Sequence, residues 1–145
     1  METARRILTL LAVAALLGAS ANAVSPRGLS WSRPLGRGIA DQVVKAGLVP
    51  VDLKTVQDLV RNKSARLIDA RTPEEFTVGR LPGAILPSAL PLEKDQPLVL
   101  YCGNEFCEQS LRLGEQLKML GYRDIAVFVD GYEAWWNAGG PVDQD

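Results

Sequence analysis

The chain holds two cysteines, Cys102 and Cys107, and no histidine. Without histidine, a Cys-His dyad, a Ser-His-Asp triad and every histidine-ligated metal site are excluded. Two cysteines alone do not build a zinc site, so neither a metal nor a cofactor is expected. What remains is thiol chemistry. Cys102 follows the apolar run Leu98-Val-Leu-Tyr101 and opens the loop Cys102-Gly103-Asn104-Glu105-Phe106-Cys107. A cysteine between a strand and a helix sits where backbone N–H groups and the positive end of the helix dipole converge. Both favour the thiolate, which is the nucleophile. A buried structural cysteine is the competing reading.

Cys107 admits three roles. It can resolve a persulfide, sulfenic acid or mixed disulfide on Cys102. It can be half of a static disulfide, or a small buried residue beneath the loop. Four intervening residues permit a bridge if the Cα atoms approach within roughly 7 Å. Cys107 lies between Phe106 and Glu108, and a neighbouring carboxylate raises a thiol's pKa. Cys102 is therefore expected to be the nucleophile. The loop's Glu105 and Glu108 are expected to face its mouth. Trp135, Trp136, Phe106 and Phe128 read as core or rim packing rather than a ligand platform.

The elements that must position these cysteines alternate in type. Ile39, Val43, Val44 and Leu48 mark a short helix stopped near Gly47. Asp52 can cap a helix whose face carries Leu53, Val56, Leu59 and Val60. Arg66 to Asp69 reads as a strand. Thr72-Pro73-Glu74-Glu75 opens a helix, with proline first and acids in the first turn. Leu81 to Pro87 reads as a turn feeding a short strand. The strand into Cys102 follows, then a helix from Gln109 to Leu120, a strand from Ile125 to Val129 and a helix from Gly131 to Ala138. Such alternation predicts an α/β domain with a mainly parallel sheet. In such sheets the ligand site lies beyond the carboxyl ends of the strands, where Cys102 falls.

The amino end reads as an address. Arg5-Arg6 precede the apolar run Ile7 to Leu17, and Ala21-Asn22-Ala23 is a small-x-small cleavage signal. Residues 1–23 are expected to be a secretory signal peptide. An uncleaved anchor is the alternative, but a membrane span needs roughly 20 apolar residues. The twin arginines resemble a twin-arginine export signal. Export is expected, to the periplasm if the source is bacterial, with no stable membrane insertion after cleavage. Cleavage would leave Val24 to Asp145, 122 residues with 14 basic and 16 acidic side chains. That length can bury a core by itself. The near-neutral balance gives no reason to expect nucleic acid. Residues 24–50 read as a lead and packed arm, and residues 51–145 as the domain proper.

The sequence Asp69-Ala-Arg71-Thr-Pro-Glu-Glu75-Phe76, followed by Gly79-Arg-Leu-Pro-Gly-Ala84, resembles the rhodanese signature D-x-R-x-x-x-E-[FY]-x-x-G-H-[IL]-P-G-A. Tyr101-Cys102, Gly121-Tyr122 and Asp130-Gly131-Tyr132-Glu133-Ala134-Trp135 resemble the second half of the same domain. The resemblance implies a rhodanese-like central parallel sheet between helices. It implies a sulfurtransferase-like activity, with a persulfide carried on Cys102. It also implies a structural ion pair between Asp69 and Arg71. Three departures stand out: Arg80 replaces the usual histidine, the loop is longer, and Cys107 has entered it. The short rhodanese loop usually places a cation soon after the cysteine, whereas here the first is Arg112. A loop with carboxylates and no cation repels dianions, by on the order of 1 kcal/mol per contact in water and several when desolvated. Phosphatase and arsenate reductase chemistry, and fast transfer from thiosulfate, are thus disfavoured. The expected partner is a neutral small sulfur donor or a thiol protein. A redox-active pair handling a persulfide is the leading reading. A binding module that lost catalysis, and a thiol-disulfide exchange protein without sulfur transfer, are the alternatives.

Overall fold

The computed structural model describes residues 39–90 and 93–144. The expected signal peptide and most of the expected lead lie outside the described residues. Helix α1 spans Ala40–Lys45, and strand β1 spans Val49–Val51. Helix α2 spans Leu53–Asn62, strand β2 Arg66–Asp69 and helix α3 Pro73–Val78. Strand β3 spans Leu98–Tyr101, helix α4 Gln109–Met119, strand β4 Ile125–Phe128 and helix α5 Gly131–Asn137. The strands form one parallel sheet in the order β1-β4-β3-β2.

Local chemistry explains several boundaries. Asp52 caps α2 by accepting from the Thr55 N–H at 2.9 Å. Thr72 and Glu75 form a reciprocal capping box around α3, with Pro73 at the first helical position. Gly47 carries φ +70°, the left-handed geometry that ends α1.

Alternation along the strands divides the core into two layers. Leu98 and Leu100 join Val43, Leu48, Leu111, Leu117, Ile125 and Val127 on the face covered by α1 and α4. Val99 and Tyr101 point the other way, toward Val56, Phe128 and Trp135 under α2 and α5. The helices between consecutive parallel strands return the chain to the same edge, so β2, β3 and β4 all end on one side. Cys102 leaves the sheet there.

Two expectations change. The short strand after Leu81 is reduced to a single bridge between Ile68 and Ile85, followed by a 3-10 turn over Pro87–Ala89. Pro82 and Pro87 flank Ile85 and supply no N–H for a longer ladder. Val44 lies on the solvent side of α1 at 59% exposure, while Val43 is fully buried. A further element escaped the pattern: Val49–Val51 pairs with β4 as the sheet's edge strand.

Among the described residues no helix is long and apolar enough to cross a membrane.

Candidate functional site

β3 delivers Cys102 to the carboxyl edge of the sheet, where it is almost fully buried. The loop then folds back on itself. Asn104 Oδ1 accepts from the Phe106 N–H at 3.1 Å, and Asn104 O accepts from the Cys107 N–H at 3.1 Å. This turn returns Cys107 to Cys102, with the Cα atoms 6.1 Å apart and the sulfurs joined as a disulfide. Of the three roles open to Cys107, isolation in the core is thus removed.

Three neighbours hold the loop. The Tyr132 N–H donates to Cys102 O at 2.8 Å, and the Glu133 N–H to Gly103 O at 2.9 Å. The first amides of α5 are thereby committed to the loop backbone. Gly131 makes that approach possible. Its φ is +72°, and a Cβ there would lie 2.8 Å from the Asn104 backbone. From the other side, the Ile39 N–H donates to Glu105 O at 3.2 Å.

Beneath the loop lies a buried polar network. Asp69 Oδ2 accepts from Arg71 Nη2 at 2.6 Å and from the Tyr101 hydroxyl at 2.6 Å. Asp69 Oδ1 accepts from the Arg71 N–H and from Nε, each at 3.0 Å. Arg71 Nη2 also donates to Gly79 O at 2.7 Å, and its guanidinium lies 3.8 Å from the centre of the Tyr132 ring. Burial acts against the Arg71 charge, but the bonds and charge of Asp69 outweigh it and raise its pKa. Burial first, then the Asp69 carboxylate, hold the Tyr101 phenol far above its ordinary value. Tyr101, the residue before Cys102, is therefore a fixed, neutral hydrogen-bonding post. The network ties the end of β2, the end of β3 and the start of α5 into one platform.

The two loop carboxylates part company. Glu105 lines an open groove with Asn104, Phe106, Asp130, Glu133, Ala134 and Asn137. Glu108 instead pairs with Arg112 at 3.0 Å, one turn along α4. Glu105 thus lines a groove beside the loop, whereas Glu108 is taken up by Arg112. The i, i+4 spacing of Glu108 and Arg112 was the readable signal for that pair. Trp135 and Phe128 are core residues, whereas Phe106 and Trp136 are exposed at 70% and 56%. Gln109 was not singled out from the sequence, yet its Oε1 lies 3.5 Å from Cys102 Sγ. Among the described residues no cluster of acidic or cysteine side chains could hold a metal ion.

A parallel sheet flanked by helices, with a disulfide-bonded cysteine in the loop after a central strand, defines an α/β protein with a cysteine pair at the carboxyl edge of its sheet. The chain belongs to the rhodanese-like domain family, whose match runs over residues 52–138. It is similar to the human thiosulfate:glutathione sulfurtransferase, 28% identical over 111 residues, covering 62% of this chain and 95% of that protein. It is 33% identical over 119 residues to an HTH-type transcriptional regulator of Mycobacterium tuberculosis. That alignment covers 73% of this chain but 52% of the regulator, so the chain spans about half of that relative's length. In fold it is similar to the polysulfide-sulfur transferase homodimer of Wolinella succinogenes, with a TM-score of 0.57 at 20% identity, covering 78% of this chain and 95% of that one. Sulfurtransferase relatives support sulfur-transfer chemistry in general for this domain.

Proposed function

We propose that this protein is an exported sulfur carrier, periplasmic if bacterial, in which Cys102 bears the sulfur and Cys107 resolves it. The observation that carries the reading is the Cys102–Cys107 disulfide, set in the loop at the carboxyl edge of the sheet. The Cys102 thiolate attacks the sulfane sulfur of a donor and expels the donor's thiol, leaving a persulfide on Cys102. An acceptor thiol can take the outer sulfur and return the thiolate. Alternatively, the Cys107 thiolate attacks Cys102 Sγ, breaks its bond to the outer sulfur and releases hydrosulfide. The product is the observed disulfide. A dithiol reductant, or two equivalents of a monothiol, then restores both cysteines.

The donor is a small uncharged sulfane compound or a thiol protein that already carries a persulfide, because Glu105, Asp130 and Glu133 line the groove beside the loop. Export rests on the pattern of residues 1–23. The observed disulfide also favours a second reading, thiol-disulfide exchange without sulfur transfer.

Mass spectrometry of the reduced protein after exposure to a sulfane donor separates the two. Gain of one sulfur on Cys102, held longer in Cys107→Ser, is the expected result. Disulfide formation with no sulfur adduct and no hydrosulfide would leave only the exchange reading.

A further inference from the structure

Ser110 is the second residue of α4 and is only 1% exposed. Its Oγ has no hydrogen-bond partner. A buried hydroxyl left unpaired opposes folding, so its presence calls for a reason.

Two periodicities place it. On β3, Leu98 and Leu100 face α4, and Val99 and Tyr101 face away. Cys102 is the next member of the α4-facing row. On α4, Ser110, Gly114 and Leu117 form one buried stripe. At Gly114 a Cβ would lie 3.2 Å from Leu100 Cδ1. The helix crosses back against the strand direction, as a connection between parallel β3 and β4 must. Ser110 stands four residues before Gly114, about 6.0 Å up the axis. Cys102 stands two residues beyond Leu100, about 6.6 Å along the strand. The two registers therefore meet. The neighbouring side chain agrees, since Gln109 Oε1 contacts Cys102 Sγ at 3.5 Å.

We propose that the Ser110 hydroxyl is a hydrogen-bond donor reserved for the Cys102 sulfur when that sulfur is an anion. This covers the thiolate that attacks the donor and the thiolate that leaves when the outer sulfur moves on. A disulfide sulfur is a poor acceptor, and in the disulfide form the hydroxyl stands idle. The inference rests on the reading that Cys102 bears the transferable sulfur.

The test follows iodoacetamide labelling of Cys102 against pH in a Cys107→Ser background. Ser110→Ala should raise the pH midpoint by about one unit, which is about tenfold less thiolate below the midpoint. Ser110→Thr keeps the hydroxyl and should keep the midpoint. Ser110→Val, alike in shape to threonine, should shift it as alanine does, which separates the hydroxyl from any packing effect. In the disulfide form, with Cys107 present, Ser110→Ala should melt no lower than the parent protein, because no bond is lost there. An unmoved midpoint in Ser110→Ala and Ser110→Val overturns the proposal. The sulfur-adduct measurement is independent: its failure would sink the sulfur-carrier reading and leave the midpoint comparison interpretable.

Discussion

The two cysteines differ in reach. Cys102 is 3% exposed, while Cys107 is only partly buried. Thiol-disulfide exchange depends on which sulfur can be approached and on which thiol leaves more readily. An incoming reductant should meet Cys107, and Cys102, beside the amino end of α4, should depart as the thiolate. A monothiol trapped in mixed disulfide is therefore expected on Cys107 by peptide mapping. An adduct confined to Cys102 would reverse this order of attack. Asp69 sets a different demand. Its side chain is fully buried and balances a guanidinium that is 5% exposed. Asp69→Asn would leave the Arg71 charge buried without its partner, a loss of about 3–5 kcal/mol. Urea titration of the variant checks this; a loss below 1 kcal/mol would mean that Tyr132 and Gly79 O hold the cation alone.

Among the elements, α2 offers a prediction with a defined pH sense. The Thr55 hydroxyl, and after it the Thr55 N–H that Asp52 accepts, lower the Asp52 pKa. A carboxylate whose folded-state pKa is depressed adds stability that is present above its unfolded value, about 3.9. The contribution fades as pH falls through the lowered folded-state value. Asp52→Ala should thus melt below the parent at pH 7, with the gap closing toward pH 2. A gap constant from pH 7 to pH 2 would rule out the ionised cap. The same cap shows why much of the fold was legible. Asp52 and Thr72-Pro73 are local signals that tertiary contacts did not override. Leu98–Tyr101 and Ile125–Phe128 are central parallel strands buried on both faces, so they read as unbroken apolar runs. Val49-Pro50-Val51 carried no such run, and its proline is tolerated only because the strand lies at the edge. At the site, the cysteines were visible as residue types, and the Asp69–Arg71 pair through the resemblance to the rhodanese signature. The clasp between α5 and the loop was not, because it depends on two segments roughly 30 residues apart meeting backbone to backbone.

At the scale of the whole molecule, a formal charge of −1 conceals an uneven distribution. Glu105, Asp130 and Glu133 share the groove beside the disulfide. Asp130 Oδ2 is occupied by the Leu53 N–H at 3.1 Å, so Glu105 and Glu133 are the carboxylates to change. Replacing both with glutamine should raise turnover of thiosulfate severalfold, with little effect on an organic hydropersulfide whose remaining part is uncharged. Equal effects on both donors would show that the groove's charge does not govern donor choice. The edge strand carries a further consequence. The family match begins at Asp52, one residue beyond β1. A polypeptide begun there would keep every matched residue and lose the strand that covers β4. The outer N–H and C=O groups of Ile125–Phe128 would then be an open template for a second chain. The three residues Val49–Val51, outside the family match, cover that edge of β4 with a short strand whose Pro50 offers no N–H.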